Sequence, residues 1–318
     1  MALHRLTARG NNLQMPAQQV TVLGAGAWGT ALAKLAMLGG HQVKLWSRSH
    51  NLAEAIADCD LLVSAIPMRG ITQLVEQITA IGLQPQQIIL STSKGLALES
   101  GLTARQIWQK HFPHQAIAVM SGPNLSPEIM AGLPCATVVA SDQPAIAQRI
   151  QGVFASPCFR VYTNSDPIGV ELGGTLKNVI AIAVGACDGL QLGANAKAAL
   201  ITRSLAEIIR IARRWGAKDE TFWGLSGLGD LLATCNSSLS RNYRLGYALA
   251  QGKTLTEAIA SIAGTIEGIN TARALIKIAD QENIYLPVCR YVYQLIEGEI
   301  TPQQALAGLM ARDLKAET

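Results

Sequence analysis

A short apolar run at residues 20–23 ends in Gly24-Ala25-Gly26-Ala27-Trp28-Gly29 and passes into a helical run at residues 30–38. No other segment constrains the fold so strongly. Gly24 allows a tight strand-to-helix turn. Gly26 lacks the Cβ that would hold a pyrophosphate away from the backbone, and Gly29 lets the helix sit close to the strand. The helix start then offers free N–H groups and the positive end of its dipole to an anion. Strand, glycine turn and helix in this order predict a dinucleotide site in a doubly wound α/β fold. A bare βα turn without a ligand is the alternative.

The next strand bears on which dinucleotide. Gly39-Gly40 closes the helix, and Gln42–Trp46 follows as an apolar-rich strand. Sites selective for NAD usually place Asp or Glu at the end of this strand, against the ribose 2′-hydroxyl. Here the chain reads Ser47-Arg48-Ser49-His50, with no acid before Glu54. Arg48 is placed to meet a 2′-phosphate, with Ser47 or Ser49 as donors, so the cofactor is expected to be NADP or NAD. A solvated loop arginine is the plain alternative.

Apolar runs at residues 60–66, 87–91, 116–120, 136–140 and 159–163 read as further strands, with helical runs at 71–81 and 102–111 between them. This predicts a Rossmann-type, mostly parallel sheet, whose ligands belong outside the carboxyl ends of the strands. Gly24–Gly29, Pro67, Lys94 and the stretch Gly122-Pro123-Asn124 all fall at such ends. After about residue 165 the pattern turns helical, at 172–185, 196–215, 243–251, 254–262, 271–281 and 288–295. The expected organisation is a tail over 1–16, a dinucleotide-binding domain over 17–165 and an all-α domain over 166–318, with the site in the cleft between the domains.

A chain of 318 residues is long enough for two cores, and its net charge of +4 is unclustered, which argues against a nucleic-acid surface. The six cysteines are scattered singly, so neither a zinc site nor a disulfide framework is expected, and a reducing cytoplasm fits best. Residues 1–19 lack the apolar core of a secretory signal, and the expectation is a disordered tail, or an upstream start with Met15 as the true first residue. The longest apolar run, 179–187, is about half of a membrane span.

Polar residues stand out in the helical half. Lys177 and Asn178 interrupt a run of small and apolar residues, GVELGGTLKNVIA, from Gly169. Asp230 follows Gly227-Leu228-Gly229 among apolar neighbours and is the natural partner of Lys177. Ser240-Arg241-Asn242 opens a helix, a combination suited to an anion. A snorkelling lysine, a structural ion pair and an ordinary helix cap are the plain alternatives.

With GAGAWGTALA, SKGL, SGP, GVELGGTLKNVIAIA, NAKAALITRSLAE, GLSGLGDLLATC and SRN in hand, the chain resembles the bacterial NAD(P)-dependent glycerol-3-phosphate dehydrogenases over nearly its whole length. The resemblance implies an oxidoreductase that reversibly reduces dihydroxyacetone phosphate to sn-glycerol 3-phosphate with NAD(P)H, at the entry to phospholipid synthesis. It implies Lys177 as acid and base at the C2 oxygen and Asp230 as the group that orients and charge-balances it. Lys94, Gly122 and Asn124 would line the substrate, and Ser240, Arg241 and Asn242 would hold its phosphoryl end. Trp28, Arg48, Lys94, Ser126, Arg241 and Glu267 would touch the cofactor beside the glycine turn. The partner implied is a small phosphorylated substrate, with no metal, nucleic acid or membrane span, and the resemblance leaves open whether the chain pairs as a homodimer.

The chain departs from the family's usual pattern between Arg48 and Asp60, where it is shorter by roughly thirty residues and near the minimum for a crossover. Cofactor affinity is the property this puts at stake. Asn124, where Ser or Thr is more usual, and Pro127-Glu128 are lesser departures. Two rivals remain: another two-domain dehydrogenase of a small phosphorylated or acidic substrate, and a cofactor-binding protein without turnover.

Overall fold

The structure, a computed structural model, describes residues 16–314 and 316. Most of the expected tail and the alternative start at Met15 lie outside the described residues. Seven strands form one sheet: β1 (Gln19–Leu23), β2 (Gln42–Trp46), β3 (Leu61–Ser64), β4 (Ile88–Ser91), β5 (Ile117–Ser121), β6 (Cys135–Ala140) and β7 (Phe159–Asn164). Their order across the sheet is β2-β1-β3-β4-β5-β6-β7. All neighbours are parallel except β5 and β6. The central strands β3, β4 and β5 are buried at every residue, as strands covered on both faces must be.

The helices between them are α1 (Ala27–Leu38), α2 (Leu52–Ile56), α3 (Ile71–Ile81), α4 (Ala104–His111), α5 (Ser126–Met130) and α6 (Pro144–Phe154). Two apolar layers result. Val20, Val22, Val63, Leu90 and Met120 face α1 and α6, and Leu62, Ile89 and Ile117 face α3 and α4. The link from β2 to β3 holds one short helix, α2, capped by Asn51, whose side chain accepts from Ala53 N and Glu54 N. A crossover this short still turns over the sheet, because Ala55 and Ile56 are buried beneath it.

Chain character changes at α7 (Pro167–Gly189). It begins earlier than the apolar pattern suggests, because Pro167 suits a first helical position and Asp166 caps it, accepting from Gly169 N at 2.8 Å. There follow α8 (Gly193–Arg214), α9 (Asp219–Phe222), a single π turn (Leu225–Gly229), α10 (Asp230–Cys235), α11 (Arg241–Ala250), α12 (Leu255–Ala260), α13 (Glu267–Gln281), α14 (Pro287–Glu297) and α15 (Pro302–Met310). Helix α7 forms the axis of a second core of Leu176, Ile180, Leu205, Ile208, Leu245 and Leu275, and its first turns lie against β5 and β6. By length and composition α7 could cross a membrane, but its apolar window is 94% buried inside the protein and it carries Glu171 and Lys177.

Candidate active site

The glycine turn has the shape the sequence implies. Gly24 has φ of +119°, and a Cβ there would stand 2.6 Å from the Ala65 carbonyl oxygen. A Cβ at Gly29 would fall on the Gly24 carbonyl oxygen, so the third glycine is fixed by the close passage of helix and strand. At Gly26 a Cβ would meet nothing within 4 Å, and Gly26 lines the main cleft. The α1 start has no side-chain cap, so its N–H groups are left to a ligand. Bare backbone, open space and uncapped donors together fit a pyrophosphate.

The cleft holds about 580 Å³. Gly26, Trp28, Asn124 and Ser126 lie on its sheet side, and Lys177, Ser240, Arg241, Asn242 and Glu267 on its helical side. Lys94, from the loop after β4, lines it too. Gly24, Gly29, Gly122, Arg48 and Asp230 are not lining residues. Gly24 and Gly29 shape the turn, and Gly122 offers its carbonyl to Lys94 Nζ at 3.2 Å. Arg48 is exposed in the loop after β2, where Ser47 Oγ lies 2.8 Å from Ser49 Oγ and 2.9 Å from His50 Nδ1.

Asp230 sits beneath the floor of the cleft, its side chain 2% exposed. The π turn before α10 delivers it there. Its Oδ1 accepts from Lys177 Nζ and its Oδ2 from Lys94 Nζ at 2.6 Å. Lys177 also donates to Thr234 Oγ1 at 2.5 Å. Burial pushes the Lys177 amine down to about 8, although Asp230 pulls it up; Lys94 adds to the lowering. The link between Lys94 and Asp230 spans 136 positions and left no local trace in the sequence. Thr234 left one, because residues four apart share a helix face and Asp230 opens α10.

Ser240 caps α11, accepting from Tyr243 N at 3.2 Å, and Arg241 stands in its first turn. Asn242 is tied inward: its Nδ2 donates to Asn178 Oδ1 and its Oδ1 accepts from Gly268 N, each at 2.9 Å. The amide nitrogen carries a second hydrogen beyond that bond. Glu267 accepts from Met68 N at 3.3 Å, and burial raises its carboxyl above the usual range. Asn124 Nδ2 donates to Thr137 Oγ1 at 2.9 Å.

A family model described as the NAD-dependent glycerol-3-phosphate dehydrogenase C-terminus matches residues 166–307, and one for the N-terminus matches residues 19–58 and 48–147. A glycerol-3-phosphate dehydrogenase [NAD(P)+] of Trichormus variabilis is 56% identical over 300 residues, covering 94% of this chain and 98% of that one. A Synechocystis relative of the same description is 54% identical over 301 residues, covering 94% and 95%. The crystal structure of glycerol-3-phosphate dehydrogenase from Coxiella burnetii is 33% identical, with a TM-score of 0.89 over 93% of this chain and 99% of that one. The Trichormus alignment, at 300 residues over 98% of its partner, has no room for a missing thirty-residue segment. The short link between β2 and β3 is therefore shared with that relative and is no defect peculiar to this chain.

Proposed function

The chain belongs to the NAD-dependent glycerol-3-phosphate dehydrogenase family, and from that membership we propose how its own residues divide the reaction. The reaction is the reversible reduction of dihydroxyacetone phosphate to sn-glycerol 3-phosphate with NAD(P)H, which supplies the glycerol phosphate from which phospholipids are built. The observation that carries the division of labour is the carboxylate of Asp230 with a lysine amine on each oxygen, one lysine from the loop after β4 and one from α7.

Lys177 Nζ holds the carbonyl oxygen at C2 and passes it a proton in reduction; in oxidation the same amine, uncharged, takes the hydroxyl proton back. When bound, the nicotinamide supplies the hydride to C2. Asp230 keeps the amine aimed and charge-balanced, which matters because a lone buried ammonium is costly. Lys94 puts a second positive charge near the oxygen as it gains negative charge. Ser240, Arg241 and Asn242 hold the phosphoryl group at the start of α11, and that remote binding fixes the carbonyl in place. Gly122 and Asn124 complete the substrate's wall.

On the cofactor side, Gly24, Gly26 and Gly29 shape the turn that takes the pyrophosphate, with Trp28 and Ser126 flanking it. Arg48 takes the 2′-phosphate when NADP is used. Lys94, Arg241 and Glu267 stand where substrate and cofactor meet. We divide the chain into a dinucleotide-binding domain over 17–165 and a helical domain over 166–318, supported by the change at α7 from alternating strands and helices to helices alone. We place the reaction in the cytoplasm, a reading supported by six free cysteines.

Oxidation of NADPH on addition of dihydroxyacetone phosphate tests the reaction, and Lys177→Met tests the acid. Turnover in Lys177→Met is expected to fall by about a thousandfold or more, at the upper part of what one proton-transfer group contributes, while NADPH affinity is retained. Near-wild-type turnover in that variant would remove Lys177 from the mechanism.

A further inference from the structure

Gly173 and Gly174 stand side by side in α7, one turn before Lys177, and no role described above uses them. Both adopt ordinary helical backbone, where glycine is the poorest residue other than proline. Their reason lies in what approaches them. A Cβ at Gly173 would stand 2.5 Å from the Ser226 carbonyl oxygen and 3.2 Å from Gly227 Cα, both in the π turn that leads into Asp230. A Cβ at Gly174 would stand 2.2 Å from Ser121 Oγ and 3.3 Å from both Cδ and Cε of Lys94. The first glycine admits the backbone that carries Asp230. The second lies under the stem of Lys94, which comes from the sheet side of the cleft.

We propose that Gly174 is a positioning residue for the reaction, its bare backbone being the track over which Lys94 reaches Asp230. This rests on the roles given above to Lys177, Asp230 and Lys94. The fit is close at the end of the track: Lys94 Nζ meets Asp230 Oδ2 at 2.6 Å and the Gly122 carbonyl oxygen at 3.2 Å. A methyl group under Cδ and Cε lifts the stem by a few tenths of an ångström, and that shift is carried to the amine held between Asp230 Oδ2 and the Gly122 carbonyl oxygen. Ser121 Oγ is buried without a hydrogen-bond partner, so removing it costs no bond and clears the harsher of the two contacts.

The test therefore uses Ser121→Ala as background. Ser121→Ala alone is expected to keep kcat within about twofold of wild type. Adding Gly174→Ala is expected to lower kcat by about tenfold, since small misplacements at a reacting centre cost one to two orders of magnitude. The Kd for NADPH should stay within about twofold, because the glycine turn that takes the pyrophosphate is untouched. In a third background, Ser121→Ala with Lys94→Met, the same Gly174→Ala change is expected to alter residual kcat by less than about twofold, the two sites then being uncoupled. Three outcomes overturn the proposal. One is an unchanged kcat in Ser121→Ala/Gly174→Ala. Another is a Gly174→Ala cost just as large without the lysine. The third is a double variant that does not fold, which assigns Gly174 to packing alone. None of these touches the Lys177→Met result, so a failure here is distinct from a failure of the functional reading.

Discussion

Asp230 has almost no water around it and two amines upon it. A buried carboxylate is costly when alone, and a buried ammonium likewise, so neither Lys177 nor Asp230 is stable in this place without the other. Lys94 makes the arrangement net positive, which suits an oxygen that gains negative charge. Burial holds the Lys177 amine down to about 8, and this has a sign in each direction of the reaction. With Lys177 as the proposed acid, reduction uses the ammonium, so kcat for dihydroxyacetone phosphate should fall as pH rises through about 8. Oxidation needs the free amine, so kcat for glycerol 3-phosphate should rise over the same interval. Initial rates in both directions from about pH 6 to about pH 10 test this; parallel profiles would mean that another group titrates. Lys177 and Asp230 were legible in the sequence because each interrupts an apolar run. The contact of Lys94 with Asp230 is not legible there, since side-chain reach across the cleft has no period along the chain, and the four-residue spacing of Asp230 and Thr234 shows a shared helix face but not that Lys177 from another helix meets it.

Elements set where these side chains can be. The glycine turn was readable because three glycines at fixed spacing meet backbone constraints that hold in any surroundings: a positive φ at Gly24 and a carbonyl in the way at Gly29. Strands β3, β4 and β5 were readable as continuous apolar runs. Helices α2 and α5, at five residues each, are too short to show a period. The loop after β2 is an element-end feature as well. Trp46 Nε1 donates to the His50 carbonyl oxygen at 2.9 Å and pins the loop that displays Arg48. With no acid at this strand end, Arg48→Asp should raise KM for NADPH by about tenfold or more and leave KM for NADH nearly unchanged, a carboxylate there repelling the 2′-phosphate. Steady-state kinetics with both cofactors measure it, and an unaltered NADPH/NADH ratio would take Arg48 out of cofactor choice.

At the scale of the whole molecule, the sheet and the helical core meet along α7, and Glu171 stands in that seam. It is 2% exposed, and its Oε1 accepts from Arg105 N at 2.7 Å, at the first turn of α4. Burial raises its carboxyl to about 7 from the ordinary 4.5, against the pull of its bonds to Thr103 and Arg105. A carboxyl raised by folding contributes stability that is complete below the unfolded value and is lost as pH rises through the folded one. The wild type should therefore lose thermal stability between about pH 4.5 and about pH 7, a loss that Glu171→Gln, which keeps the acceptor oxygen, does not share. Melting temperatures of both proteins across that interval decide it; equal slopes would place the titration elsewhere. Sequence alone determined the glycine turn, the parallel strands, the helical second half and the charged residues that apolar neighbours could not explain. Each of these is a demand that local backbone geometry or desolvation makes on a few neighbouring residues. Only the tertiary structure decided that two lysines share one carboxylate, that Asn242 is tied to Asn178 and Gly268, and that Gly174 lies under Lys94. Those depend on how far separate surfaces approach, and that distance is set by packing of the whole chain.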